Sequence, residues 1–378
     1  MLLQSEQKQV PFFSKYETSF VKGIALIMMF FHHFFTFPER WIEGINYLIM
    51  SVLSPYLCQP SKLCVPVFSF LTGYFYFFSK YKTLKYSIRK ITDLLVNYWL
   101  AYVVLALIAV FTVQHSYNLI DVLKEMFAVY TPTMRFCWYV CYYYLLMLFL
   151  PVYAKMHSEG GIVSDLAVII LIPFAINTVS SYVSNEIIGQ ILTDISWLPT
   201  ALIGYVFAAY NMFGCLDKLL LRTIDRNWIV TTLLITGLIV PFIGRVLEPQ
   251  IGISFAWPSK TLDINLDILY APIFVYSLVK LRDMIRNKIA KSNSIFIVDR
   301  AIRSIGTYSM FMWFFHCIYF NMCANLFQPV LYFPKIPILV LIWGLAISWP
   351  VAFILDVFAK KLLGLKNKAF LETVKTHC

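Results

Sequence analysis

Residues 20–35 read Phe-Val-Lys-Gly-Ile-Ala-Leu-Ile-Met-Met-Phe-Phe-His-His-Phe-Phe, an apolar stretch interrupted by one lysine and two adjacent histidines. With its flanks, at 19–38, it can cross a bilayer, because a helix rises about 1.5 Å per residue and the hydrocarbon core is about 30 Å thick. The stretch therefore predicts a transmembrane helix. No small-residue cleavage site follows it, so we expect the helix to be retained and not removed as a signal peptide.

Nine further apolar stretches follow, near 63–79, 93–113, 136–154, 162–179, 195–212, 228–246, 265–281, 305–325 and 337–358. The 378 residues are 60% hydrophobic and only 13% charged, a composition outside that of ordinary soluble domains. The sequence predicts an all-α fold, a polytopic membrane helix bundle of about ten transmembrane helices. No loop is long enough for a separate soluble domain, so residues 1–378 are predicted to form a single integral-membrane domain.

The 31 Lys and Arg residues lie in short clusters between the apolar stretches. With the amino terminus inside, most of them fall in the inner segments, which the positive-inside rule predicts when both termini are cytoplasmic. Membrane orientation and anionic headgroups explain the net charge of +11, so we expect no nucleic-acid partner. The eight cysteines include no C-x-x-C pair, and we therefore expect no metal site.

The polar residues of the first span are unusual for a helix that faces lipid. At about 100° per residue, Lys22 and His33 lie about 20° apart around the axis and about 16 Å apart along it, whereas His32 lies about 80° off that line. Lys22 and His33 therefore share one face, and ionisable groups in a membrane usually face a protein interior or a water-filled cavity. A snorkelling lysine and histidines that bond neighbouring helices are the alternative interpretation.

Three later spans add polar residues. Thr72 and Gly73 form a small pair in the aromatic second span, where close helix approach explains the glycine without any chemistry. Ser309 and His316, seven residues apart in the ninth span, lie about 20° from one face. Asp267 opens the eighth span, where helix capping and a functional role are both open.

Five short motifs, taken in chain order, resemble acyltransferase family 3, the polytopic bacterial acyltransferases that modify sugars and cell-envelope polymers. The stretch from Lys22 to His33 is similar to the family's first helix, which has a basic residue followed by a histidine. The other four motifs are 68–73 on the second helix, 87–99 at the entry to the third, Trp138-Tyr139 with Pro151, and Ile305-Gly306 with Ser309 to His316. The resemblance covers most of the chain.

The chain departs from the family pattern at several of these positions. Lys22 stands where arginine is usual, which keeps the charge but loses the planar fork that binds phosphate bidentately. Thr72 replaces a serine and retains a hydroxyl, and Trp313 stands where tyrosine is usual. The proline of the third-helix motif is absent.

The resemblance implies a membrane O-acyltransferase that moves an acyl group, acetyl on family frequency, from acetyl-CoA to a hydroxyl of a sugar, polyol or cell-envelope glycan. An imidazole that titrates near neutrality suits removal of the hydroxyl proton, so His33 is the candidate base and His32 the fallback. His316 and Asp267 are candidates for orienting or charge-pairing with that imidazole. Whether His33 acts only as a base or accepts the acyl group itself stays open.

Coenzyme A carries several phosphate charges, so its site is expected to combine cations and helix ends near the inner face. Arg89 ranks first there, and Thr72 and Ser309 could bond the acyl carbonyl, a pantetheine amide or a neighbouring helix. The residues predicted to bind coenzyme A are Lys22, Arg89, Lys90, Thr72, Ser309 and Arg303. The predicted partners are acyl-CoA, the hydroxyl-bearing acceptor and the lipid bilayer.

The resemblance also favours the inner or plasma membrane of a cell as the location, with several passes of the chain across it. The leading alternative function is a multi-pass transporter or flippase for a glycan- or lipid-linked solute, with the histidines as proton relays. Inverted repeats and paired broken helices, the expected marks of a transporter, are not visible in the sequence.

Overall fold

The computed structural model describes most of the chain. The described residues are 10–37, 49–50, 52, 54–223, 227–251, 254–257, 260–263, 266–288 and 293–376. Pro38 and Asn265, at the ends of two predicted spans, lie outside these ranges, as do parts of both termini. The cytoplasmic location of the termini stays a prediction.

Helices make up nearly all of the described chain, as the sequence predicts, and one short antiparallel hairpin interrupts them. The hairpin pairs β1 (Ser254–Trp257) with β2 (Lys260–Asp263). The helices are, in chain order, α1 (Lys15–Phe35), α2 (Cys64–Phe77), α3 (Leu84–Val113), α4 (Leu119–Met126), α5 (Trp138–Ser180), α6 (Glu186–Asp194), α7 (Leu198–Ala209), α8 (Met212–Thr223), α9 (Asn227–Ile251), α10 (Asp267–Lys288), α11 (Asn293–Thr307), α12 (Ser309–Phe315), α13 (Ala324–Tyr332) and α14 (Pro337–Thr376).

Six helices in the described part of the chain are long and apolar enough to cross a membrane, and one bent pair would make a seventh. A multi-pass helical protein is therefore confirmed. All ten predicted stretches fall mainly on helices, but the count of ten transmembrane helices is not confirmed. The second stretch, for example, forms a helix of only 14 residues, which is too short to cross about 30 Å of hydrocarbon by itself.

The longest helix, α5, is two helices joined at Gly161. This glycine adopts φ 59° and ψ −147°, a conformation that glycine tolerates because it has no Cβ. The break separates the fourth and fifth predicted stretches, 136–154 and 162–179.

The ninth predicted span, 305–325, is not one straight helix. The segment Ser309–Tyr319 meets α13 at a bend of 112°. Asn321 lies in the bend, where its side-chain oxygen accepts from the backbone N–H of Cys323 (2.8 Å) and its nitrogen donates to the carbonyl of Thr133 (3.0 Å). An asparagine that bonds backbone groups in this way competes with the helical pattern, so apolar length alone does not predict the break.

Two pairs of helices approach so closely that only glycine fits between them. A Cβ built on Gly73 of α2 would lie 1.7 Å from the carbonyl oxygen of Ala201 on α7, and one on Gly204 would lie 2.1 Å from a carbonyl oxygen of α2. Gly23 and Gly306 join α1 to α11 in the same way. Small residues let helix backbones meet in a membrane, where lipid tails compete with large apolar side chains for contact.

Gly73→Ala is expected to lower the unfolding temperature of the protein. The added methyl group has no room against Ala201, so the helices must separate, and overpacking of this kind typically costs about 1–3 kcal/mol. Gly189→Ala is the control, since nothing lies within 4 Å of a Cβ at that position. Thermal unfolding in detergent, followed by tryptophan fluorescence, compares both variants with the wild type. Equal unfolding temperatures for the two variants would contradict the close contact.

Candidate active site

One cavity of about 610 Å³ lies between α1, α2, α3, α5 and α12, and aromatic and aliphatic side chains form most of its wall. Within the described residues, three lysines and no carboxylate line the cavity, so its charge is positive. No group of three or more His, Cys, Asp or Glu side chains in the described ranges is placed to hold a metal ion. The lysine, histidine, hydroxyl and thiol side chains of the wall are Lys22, Lys62, Lys90, His32, His33, Thr72, Ser309, Tyr76, Tyr86, Tyr139, Tyr143 and Cys64.

The cavity runs along the helix axes. Lys22 and His33 both line it, and eleven residues of helix place them about 16 Å apart along α1. Helix α2 runs antiparallel to α1, because the hydroxyl of Tyr74 near its end accepts from the backbone N–H of Phe12, ahead of α1 (2.9 Å). The end of α2 and the start of α3, with Lys90, therefore lie at the Lys22 end of the cavity.

A capping box fixes the start of α1. The Ser14 hydroxyl accepts from the backbone N–H of Glu17 (3.2 Å), and the Glu17 carboxylate accepts from the N–H of Ser14 (2.6 Å). Two otherwise unpaired groups at the helix start are thereby satisfied. The helix continues without interruption to Phe35, so Lys22 and His33 keep their helical spacing.

His33 and His316 form the centre of the site. Nδ1 of His33 lies 2.7 Å from Nε2 of His316, and the two rings are nearly parallel, at 11°. Nδ1 of His316 contacts the backbone carbonyl oxygen of Trp313, which can only accept. A neutral His316 therefore carries its proton on Nδ1 and accepts from His33 through Nε2. This arrangement places the proton of a neutral His33 on Nδ1 and its lone pair on Nε2.

The change from α-helix to 3₁₀ turn at His316 makes this arrangement available. Helix α12 ends at Phe315, and the last four carbonyls of a helix have no partner within it. Trp313 supplies one of these carbonyls. The ring of His316, the first residue after the helix, turns back to donate to it.

A covering segment, residues 127–137 between α4 and α5, lies over His33. Phe136 stacks on the His33 imidazole with ring centroids 4.4 Å apart and holds φ at 74°, where a bulky residue is rare. The thiol of Cys317 donates to the carbonyl of Arg135 (2.6 Å). The covering segment is thereby tied to the residue that follows His316.

Glu125 of α4 holds the same segment. Its side chain is buried, and Oε1 accepts from the backbone N–H groups of Thr133 (2.6 Å) and Met134 (2.8 Å). Oε2 is buried without a hydrogen-bond partner among the described residues. Burial raises the pKa of Glu125 to about 7, although the two N–H groups act to lower it.

Comparison with known proteins assigns the chain to a family. The family model Acyl_transf_3, described as an acyltransferase domain, matches residues 16–357. The chain belongs to acyltransferase family 3. The matched region contains the whole described lining of the cavity and both histidines of the pair, and the family predicted from the sequence is confirmed. No curated protein and no solved structure matches the chain.

Four of the six residues predicted to bind coenzyme A line the cavity of this acyltransferase, namely Lys22, Lys90, Thr72 and Ser309. The hydroxyls of Thr72 and Ser309 donate to backbone carbonyls four and three residues earlier, at 2.9 Å and 3.0 Å. The two lysines belong to different helices, and the fold brings them to one end of the cavity.

The two arginines predicted for the same site lie elsewhere. Arg89 is exposed on α3 and is not among the described lining residues, whereas its neighbour Lys90 is. Arg303 donates to Asp299 (2.8 Å), which also accepts from Arg282 (2.6 Å). The charge of Arg303 is thus balanced within the α10–α11 pair.

The remaining predicted catalytic residues have different surroundings. His32 lines the cavity, but its Nδ1 lies 2.9 Å from the carbonyl oxygen of Cys58 and 3.0 Å from the hydroxyl of Thr36. The contact with Cys58 links α1 to the turn ahead of α2, whereas Thr36 is the residue that caps α1 itself. Asp267 forms an ion pair with Arg245 of α9 and is not part of the described lining, so the structure does not place it beside the histidine pair.

Sequence reasoning missed Phe136 and Lys62. Both line the cavity from segments outside the regular helices, where no helical period assigns a residue to a face. One signal was present for Phe136, since it stands two residues before Trp138 of the fourth motif. Lys62 carries no such signal, and its ammonium lies 5.9 Å from the ring centre of Trp197.

Stability of this acyltransferase is expected to fall as the pH rises from about 5 to about 8. Because the folded-state pKa of Glu125 is about 7, the folded protein keeps a proton that the unfolded chain has already released in this range, and raising the pH removes that advantage. Glu125→Gln should flatten the dependence, whereas Asp121→Asn, an exposed control on the same helix, should not. Unfolding temperatures measured across this range provide the comparison. A wild-type slope retained in Glu125→Gln would show that another group controls it.

Proposed function

We propose that the protein transfers an acyl group, acetyl in the first instance, from coenzyme A to a hydroxyl of a sugar, polyol or cell-envelope glycan. One observation carries the proposal: one positively charged cavity joins Lys22 and Lys90 at one end to His33 at the other, and His33 is bonded to His316. The lysine end suits the phosphates of coenzyme A. The histidine end suits deprotonation of an alcohol.

The lysine end offers contacts for the nucleotide part of coenzyme A. Ammonium groups bind phosphate as point charges, and Lys90 lies over the ring of Tyr86, 5.6 Å from its centre. Tyr86 also lines the cavity and offers an aromatic face on which a base can stack. From there the extended pantetheine arm follows the apolar wall formed by α1 and α2 toward the histidines.

His33 acts as the general base in this proposal. Its Nε2 takes the proton of the acceptor hydroxyl while the hydroxyl oxygen attacks the thioester carbon. When the tetrahedral intermediate collapses, the carbon–sulfur bond breaks and the departing thiolate takes the proton from His33. His316 keeps the base in the required tautomer, and its bond to Nδ1 strengthens as His33 becomes positively charged.

The orientation of the protein in the membrane follows from the location of the acyl donor. Coenzyme A thioesters are cytoplasmic, so the lysine end faces the cytoplasm of a cell whose inner or plasma membrane holds the protein. This orientation agrees with cytoplasmic termini, because Lys22 lies in the amino-terminal half of α1 and Lys90 near the start of α3. The acceptor hydroxyl then reaches His33 from the opposite side of the bundle.

Wild-type protein in nanodiscs is expected to release free thiol from acetyl-CoA when a suitable sugar or polyol is supplied. His33→Ala should lower kcat by about 10²–10⁴-fold, the usual contribution of a general base. His115→Ala, at a histidine outside the described cavity lining, should leave kcat unchanged. Full turnover by His33→Ala would refute the catalytic assignment. Failure of folded wild-type protein to bind acetyl-CoA would instead favour transport of a glycan- or lipid-linked solute.

Lys22→Ala should raise the KM for acetyl-CoA about tenfold and change kcat little, because a phosphate contact remote from the thioester stabilises bound substrate and transition state equally. The matched control is Lys155→Ala, since the Lys155 side chain is 77% exposed on α5. Steady-state kinetics at two salt concentrations should show the salt dependence of KM reduced in Lys22→Ala alone. Equal KM values in all three proteins would show that Lys22 does not bind the phosphates of coenzyme A.

A further inference from the structure

The hydroxyl of Tyr139 is buried in the wall of the cavity without a hydrogen-bond partner among the described residues. The hydroxyl of Thr72 lies nearby and donates to the carbonyl of Phe68 (2.9 Å), but the geometry between the Thr72 and Tyr139 hydroxyls is not that of a hydrogen bond. Five buried side-chain polar atoms in the described chain have no partner, and the Tyr139 oxygen is the one that belongs to a cavity-lining residue.

A buried hydroxyl without a partner destabilises a folded protein by about 1–3 kcal/mol, because it has lost its hydrogen bonds to water. Groups of this kind are rare in native proteins and often mark a place where something binds. Tyr139 borders a cavity of about 610 Å³, which is large enough for a substrate. A ligand in the cavity would therefore complete its hydrogen bonding.

The ring of Tyr139 is fixed before any ligand enters. Trp313 packs edge-on against it with ring centroids 5.8 Å apart, and Tyr142 lies at 5.0 Å. Tyr142 is itself held, because its hydroxyl donates to the carbonyl of Trp197 (3.1 Å). A donor whose ring is already held in place is the kind that stabilises developing negative charge most strongly, above all where water is excluded.

Tyr139 lies in the same part of the cavity wall as the histidine pair. It follows by three residues Phe136, whose ring stacks on His33. Its own ring contacts Trp313, whose backbone carbonyl orients His316. A donor and a base therefore meet the same region of the cavity from two helices, α5 and α1.

We propose that Tyr139 donates a hydrogen bond to the carbonyl oxygen of the thioester and stabilises the oxyanion that forms when the acceptor oxygen attacks. This inference rests on the acyl transfer proposed above. As the new carbon–oxygen bond forms, the carbonyl π electrons move to the oxygen and the acceptor proton passes to His33. The carbonyl then re-forms, the carbon–sulfur bond breaks, and the thiolate takes the proton from His33. Tyr139 keeps its own proton throughout.

Tyr139→Phe tests this role, because it removes only the hydroxyl. We expect kcat to fall about 10²–10³-fold, the usual loss for one oxyanion donor, with KM for acetyl-CoA within about twofold of the wild-type value. Tyr102→Phe, at a buried tyrosine of α3 outside the described cavity lining, is the matched control and should retain kcat. Without ligand, Tyr139→Phe should unfold at or above the wild-type temperature, since the variant no longer buries an unpartnered hydroxyl.

A second measurement reads the hydrogen bond directly. The keto analogue of acetyl-CoA, with a methylene in place of the thioester sulfur and ¹³C at the carbonyl, should show a lower carbonyl stretching frequency on wild-type protein than on Tyr139→Phe. An unchanged kcat in Tyr139→Phe, or equal frequencies on the two proteins, would overturn the role of Tyr139. Absence of thiol release by the wild type would overturn the proposed function instead, and the frequency would still report whether Tyr139 meets the carbonyl.

Discussion

The hydrogen bond between His33 and His316 is the interaction on which the rest of the site depends. It requires α12 to end at Phe315, because the ring of His316 reaches back to the Trp313 carbonyl at that helix end. It also requires α1 to lie tightly against α11, which leads directly into α12, and Gly23 and Gly306 allow that approach. The covering segment, between α4 and α5, lies over His33, so three separate parts of the chain meet at the pair.

Helical geometry predicted the parts of the site that lie on regular helices. Lys22 and His33 both line the cavity, since the fixed rotation and rise of an α-helix determine which of its residues share a face. The same geometry is less informative where a helix changes form. Ser309 and His316 both lie on the segment Ser309–Tyr319, but α12 gives way to a 3₁₀ turn at His316, so their sharing of one face stays a prediction.

The role of a charged residue was harder to predict from the sequence than its position on a helix. A basic residue in a chain is a candidate for binding phosphate only if nothing else neutralises it, and the residue that does so can come from a distant helix. Asp299 accepts from both Arg282 and Arg303, while Asp267 pairs with Arg245. Tertiary packing therefore decides which cations face the cavity. From the sequence, Arg89 was expected to be the main residue that binds coenzyme A, but its neighbour Lys90 lines the cavity instead.

The two histidines of the pair stand 283 positions apart in the chain. During synthesis at about 5–20 residues per second, α1 precedes its partner by on the order of tens of seconds. Until α12 and His316 have been made, His33 lacks the bond to His316 and one wall of the cavity is missing. We infer that the histidine pair and the complete cavity form only late in synthesis, so that a chain truncated before α12 lacks both.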